Sequence, residues 1–286
     1  MTIRRTDPAG VRLIRGRAAV LPGFRLTLGF TLFYLSALVL LPLAALAMKG
    51  LSVEPQRAWE ILSSARVIAA FRLSIATAAA AAALNTVFGL LTAWALERTS
   101  FPGRRLVDGM IDLPFALPTA VAGITLTAMY APTGIVGRWL APFGLKVAYT
   151  PLGIILALTF VGLPFVVRSV QPVIQALERE AEEAAVSLGA SPWQTFRRVI
   201  FPELVPALLT GFGLAFARGL GEYGSVIFIA GNMPMRTETM PLLIMIRLEQ
   251  FDYEGAAAIA MVYLLIGIAI VATLDAVQRM RARRVA

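Results

Sequence analysis

Cutting this 286-residue chain at its charged residues leaves five long stretches without a single Asp, Glu, Lys or Arg: 26 to 48, 73 to 96, 113 to 137, 147 to 167 and 255 to 274. Each is about 20 residues or more, enough for a helix rising ~1.5 Å per residue to cross a hydrocarbon core of ~30 Å. A sixth stretch, 204 to 235, is interrupted only by Arg218 and Glu222. Buried helices of a soluble protein can also be apolar, but a chain of this length has no soluble core able to take six of them. Charged residues make up 15% of the chain, against about a quarter in soluble domains. An arginine-rich start, an apolar run and Ala45-Leu46-Ala47 imitate a secretory leader, yet a leader ending there is too long. The expected fold is therefore all-α: a polytopic membrane protein with six transmembrane helices near 26–48, 72–96, 110–131, 150–170, 204–230 and 255–276, forming one membrane domain over 26–277.

The basic residues orient these spans. With the N-terminus inside, the cytoplasmic segments are a basic arm at 1–25 (Arg4, Arg5, Arg12, Arg15, Arg17, Arg25), a loop with Arg98, Arg104 and Arg105, a segment flanked and filled by Arg168, Arg179, Arg197 and Arg198, and a tail at 278–286 with Arg279, Arg281, Arg283 and Arg284. They hold 17 of the 26 basic residues, the distribution expected of cytoplasmic loops. The formal net charge of +9 then reflects topology and contact with anionic lipid headgroups, with no need for a nucleic-acid partner.

Much chemistry is excluded. The chain has no His and no Cys, which removes thiolate and imidazole metal sites, cysteine nucleophiles and histidine acid-base catalysis. Its two lysines, Lys49 and Lys146, do not end a phosphate-binding glycine loop. Uphill movement of a solute would need an ion gradient or another subunit. Glu178, Glu180, Glu182 and Glu183 read as the solvated face of a helix and not as a hydrolytic carboxylate pair. The chain is expected to be no enzyme.

The segment 178–203 is the main departure from apolar sequence. Ala181, Ala184, Ala185 and Leu188 fall at helical spacing beside the glutamates, and Gly189 supplies a stop. Ser191 suits an N-cap and Pro192 the first helical position. Trp193, Phe196 and Ile200 then repeat on one face until Pro202, which is expected to close a short second helix of about ten residues. Two short helices cannot bury Trp193 and Phe196 between themselves, so a partner surface is required. A helix-turn-helix reading fails for want of a third helix and because the first helix is acidic.

Glu183-Ala184-Ala185, three residues, Gly189, nine residues and Val199-Ile200-Phe201-Pro202 resemble the E-A-A-x3-G-x9-I-x-L-P signature of binding-protein-dependent ABC importer permeases, with Val199 and Phe201 replacing Ile and Leu. The resemblance implies the type I importer permease fold and a cytoplasmic coupling helix seated in a groove of an ATPase subunit. Trp193 and Phe196 would enter that groove, with Glu183 and Gly189 at the joint. LPFALPTAVAG (113 to 123), RGLGEYGSVIFIAGNMP (218 to 234) and RLEQFDYEGAAAIA (247 to 260) are further similar to the T-type permeases of the sulfate/thiosulfate group. That likeness implies a bacterial inner-membrane complex with a homologous second permease, favouring a heterodimer, two ATPase subunits and a periplasmic sulfate-binding protein. ATP and Mg would be used by the ATPase, and this chain itself would bind no cofactor. Periplasmic stretches 131 to 151 and 231 to 254 would meet the binding protein. A molybdate or tungstate permease, or an ion-coupled secondary anion transporter, stands as the alternative.

Within the spans, Pro114 and Pro118 are expected to kink the third helix, and Pro118 and Thr119 to line a translocation path. Small residues at 207, 211, 215, 219 and at 213, 217, 221 give the fifth span two close-packing rows. Arg218 and Glu222, four apart, can pair inside it, where each alone would cost roughly 2.5–3.5 kcal/mol. Either they form a structural bridge or Arg218 gives an anion gate its charge. Met240 to Gln250 reads as a short interfacial helix.

Overall fold

The computed structural model describes residues 24–285, which fall into two units, Met1–Met48 and Lys49–Ala286. All of the expected basic arm before residue 24, and Ala286 at the end of the expected tail, lie outside the described residues. The described part of the first unit is most of helix α1 (Phe24–Leu51), which has Pro42 inside it. Its last turn carries Lys49, where a cation suits the helix dipole.

All the regular structure described in the second unit is helical. In chain order it contains α2 (Pro55–Leu62), α3 (Ala65–Arg98), α4 (Arg104–Ile111), α5 (Leu113–Ala116), α6 (Thr119–Tyr130) and α7 (Ile135–Leu140) with a 3-10 turn behind it. Then follow α8 (Pro151–Ala176), α9 (Arg179–Ser187), α10 (Pro192–Thr195), a π turn (Phe196–Ile200), α11 (Phe201–Leu220), α12 (Gly224–Ala230), α13 (Met240–Glu249) and α14 (Tyr253–Val285). Among the described residues of both units, six helical stretches are long and apolar enough to cross a membrane: Leu26–Leu51, Ala65–Arg98, Thr119–Phe143, Pro151–Ala176, Pro192–Leu220 and Tyr253–Leu274.

The third and fifth spans begin furthest from expectation, and a proline bears on each start. The third starts at Thr119 and not near 110, because Pro118 forces Leu117 out of the helical region (φ −85°, ψ 136°) and breaks the chain instead of kinking it. The fifth starts at Pro192 and ends at Leu220. Pro202 does not close a short helix. The preceding turn widens, with the Phe201 N–H bonded to the Phe196 carbonyl five residues back, and Pro202 then sits in the first turn of α11, where its missing N–H is harmless. At the other end the helix stops at Gly221, and 224–230 forms a separate element.

The core lies where α3, α8 and α11 pack together, around Ala78, Ala82, Leu158, Val166, Val170, Leu204 and Phe216. Val166 marks a close approach of all three: a Cβ on Gly89 of α3 or on Gly211 of α11 would press into it, so glycine permits both contacts. Of the two rows on α11, the one through Gly211 and Gly219 thus faces α8 and α3, while Gly213 faces Leu274 of α14. A smaller cluster joins Val67 and Ala70 of α3, Met240 and Leu243 of α13 and Ile259 of α14. The expected interfacial helix at 240–250 buries Met240, Leu242 and Leu243 against protein, while Met245 and Leu248 stay exposed. Arg66 fastens the loop before it, with Nε and Nη2 bonded to the two oxygens of buried Glu238 at 2.7 and 2.6 Å.

Candidate coupling segment and transport pathway

The turn between α9 and α10 is built entirely from local hydrogen bonds. Gly189, at φ +84°, donates its N–H to the Val186 carbonyl, and Ala190 donates to the Ala185 carbonyl at 3.0 Å, the pair of bonds that closes a Schellman motif. Ser191 then opens α10 with a reciprocal capping box: its hydroxyl accepts from the Gln194 N–H, and its own N–H bonds to Gln194 Oε1 at 2.8 Å. Pro192 takes the first helical position. Together these devices present two apolar side chains outward, Leu188 at 89% exposure and Trp193 at 67%. Beside the turn, Glu183 and Ala184 are exposed and Ala185 is half-buried.

Phe196 departs from its expected role. It stacks on Trp193 at 5.7 Å between ring centroids, but it also meets Trp94 of α3 edge-on at 5.7 Å and Phe201 at 5.9 Å. It is thus a ring that joins the segment to the bundle, whereas Trp193 remains exposed. The acidic side of the joint also shifts by one residue. Glu182, not Glu183, binds Arg98 at 2.5 Å, and Arg98 lies over the Trp94 ring at 5.3 Å. The helical period could have pointed to Glu182, because Glu183 lies a further 100° around α9.

At the far end of α11 two of the four expected pathway residues, Arg218 and Glu222, pair, while Thr119 meets the chain two residues further on, at Gly224. Arg218 Nη1 pairs with Glu222 Oε2 at 2.6 Å. The other oxygen of Glu222 accepts from the Ser225 N–H at 2.9 Å and the Ser225 hydroxyl at 3.0 Å, so the carboxylate is held on both sides. Its side chain is 2% exposed, whereas that of Arg218 is 34% exposed. Beside them α12 packs on α6. A Cβ on Gly224 would collide with Thr119 Oγ1, and one on Gly123 with the Ser225 backbone. Pro118, whose restriction of Leu117 starts α6 at this point, thereby sets where Thr119 meets the ion pair's own loop. Chemically the site offers one partly exposed guanidinium tied to a buried carboxylate, next to a hydroxyl.

A polar cluster near the coupling end was not foreseen. Arg168 of α8 contacts Asp108, Asp112 and Gln171, and Gln171 reaches Glu97 of α3. The hydrogen bond from Arg168 holds the Asp108 carboxyl below the usual carboxylate range, helped by Gln171. Among the described residues, no group of His, Cys, Asp and Glu is placed to hold a metal.

Residues 85–286 match the model of the family described as "Binding-protein-dependent transport system inner membrane component". The chain belongs to that family. It is thus the membrane-spanning permease of a binding-protein-dependent importer, a transport subunit and not an enzyme. The permease is 49% identical to the sulfate transport system permease protein CysT of Escherichia coli strain K12 over 266 residues, 93% of this chain and 96% of the relative. It is 48% identical to the CysT of Salmonella typhimurium over the same shares. Its fold is similar to a chain of a bacterial alginate ABC transporter solved in complex with an alginate pentasaccharide-bound periplasmic protein, with a TM-score of 0.74 at 18% identity, covering 90% of this chain and 93% of that one.

Proposed function

We propose that this permease translocates sulfate, with thiosulfate as a close analogue, across a bacterial inner membrane, with both termini cytoplasmic and the energy supplied by ATP and Mg on a separate ATPase subunit. The observation that carries the coupling role is the outward presentation of Leu188 and Trp193 on a turn whose shape is set by Gly189, Ser191 and Pro192. An exposed apolar pair on so ordered a loop fits the groove of a cytoplasmic partner. Glu182 and Phe196 then transmit its movement to α3 and α11. The substrate class follows the named relatives, and the partly exposed Arg218 guanidinium suits an anion path.

A second, homologous permease completes the membrane pair, and a periplasmic anion-binding protein delivers the substrate. The exposed Trp139, Phe143 and Phe251, on the stretches expected to lie outside, form its landing surface. The test is reconstitution of the whole complex in vesicles with sulfate-loaded binding protein. Uptake of labelled sulfate should require ATP and persist when ion gradients are collapsed. Uptake that survives ATP removal while a gradient remains would refute the coupling role. Uptake of molybdate in preference to sulfate would refute the substrate.

A further inference from the structure

The short segment from Arg104 to Pro118 leads to Thr119, which packs on Gly224 two residues beyond the Arg218–Glu222 pair, yet it has little apolar anchorage of its own. Helix α4 buries only Ile111, α5 buries no residue, and Phe115 touches Phe165 of α8 edge-on at 5.2 Å. Helices of eight and four residues are not stable by themselves. What fixes them is Arg168, whose guanidinium makes five hydrogen bonds. Nε and Nη2 grip the two oxygens of Asp112 at 3.0 and 2.6 Å; Nη1 reaches Asp108 Oδ1 at 2.7 Å and Gln171 Oε1 at 2.6 Å; Nη2 also reaches the Asp108 carbonyl at 3.0 Å. A guanidinium has five N–H groups, so this one is fully used.

The cluster continues into the coupling segment. The Gln171 amide donates to Asp108 Oδ1 at 3.2 Å and to Glu97 Oε1 at 3.1 Å, and Glu97 accepts from Arg104 at 3.2 Å. The next residue of α3 is Arg98, which holds Glu182. Adjacent positions on one helix end therefore grip the coupling segment with one side chain and the α4–α5 segment with the other.

We infer that Arg168 is a positioning residue for transport: it binds the ends of α3, α8 and the α4–α5 segment into one rigid block, so that movement of the coupling segment reaches Pro118, Thr119 and the Arg218–Glu222 pair. The inference rests on the coupling role proposed above. A lysine cannot replace Arg168, because an ammonium offers three donors and no fork to match a carboxylate.

The experiment uses the reconstituted complex and reads sulfate taken up per ATP hydrolysed. Arg168→Met should leave the ATPase bound and still stimulated by the loaded binding protein, while uptake per ATP falls roughly tenfold, within the usual range of coupling between sites. Because the chain has no cysteine, Asp108→Cys/Gln171→Cys allows a clean second test. Uptake per ATP should be low with free thiols and recover when a short reversible thiol cross-linker joins the two positions. The inference is overturned if Arg168→Met keeps normal uptake per ATP, if it lowers hydrolysis and uptake in the same proportion, or if the cross-link stops uptake. A wild-type complex that imports without ATP would instead overturn the coupling role itself.

Discussion

Gly189 shows how a single backbone angle constrains the coupling turn. A Cβ there would meet nothing within 4 Å, so the cost of substitution comes from φ +84° alone. Gly189→Asn should keep most of the transport, while Gly189→Val should lose it with the protein still in the membrane, as membrane fractionation beside an uptake assay would reveal. At the other site, Arg218→Ala alone is a poor test, because it strands a buried carboxylate at a cost of about 3–5 kcal/mol. Arg218→Gln/Glu222→Gln removes both charges together. Its complex should assemble normally, and sulfate uptake should fall roughly tenfold if the guanidinium serves the anion; normal uptake would make the pair purely structural. Asp108 has a sign that can be worked out. Its carboxyl is depressed in the folded protein by the Arg168 hydrogen bond, so its contribution to stability is present above the ordinary carboxylate pKa of about 3.9 and is lost only as pH falls through the lower folded value. Melting of the solubilised complex should therefore show no loss from this group between about pH 8 and pH 5, and Arg168→Met should move its titration upward.

At the scale of elements, the features legible in the sequence were those with local causes. The helix stop at Gly189, the cap at Ser191 and the Arg218–Glu222 pair each depend on residues within a few positions, and each appears as expected. Pro118 and Pro202 were misread because a proline limits its neighbours in two ways. One broke the helix through the residue before it, and the other was absorbed by a π turn, a choice set by how α11 packs and not by its own sequence. The Arg168 cluster joins residues 56 to 74 positions apart, beyond the reach of any periodicity. Asn85 is a similar case. It lies fully buried in α3 opposite Gly162 of α8, with neither amide atom bonded to a protein partner. Asn85→Leu should stabilise this junction by about 1–3 kcal/mol, seen as a higher melting temperature of the purified complex, because an unpaired buried amide is replaced by an apolar group of similar size.

For the whole molecule, the count and composition of the spans were readable because a bilayer demands long apolar helices whatever their packing, and six are found. The proposed orientation makes a prediction at this scale. In the cysteine-free chain, Leu188→Cys should react with an impermeant thiol reagent only from the cytoplasmic side, and Trp139→Cys only from the other. The course of the fifth span also has a mechanical meaning. From Pro192 to Leu220 the helical stretch is continuous through the π turn, and it lies close against α8 where Gly211 meets Val166. At ~1.5 Å per residue, Trp193 lies about 27 Å from that crossing and Arg218 about 10 Å beyond it. With Trp193 seated on the ATPase as proposed, such a rod is a lever with its long arm there: a sideways push of about 3 Å at Trp193 would arrive at Arg218 as little more than about 1 Å, with the force multiplied in the same ratio. A stroke of that size suits the parting of one ion pair better than the opening of a wide channel.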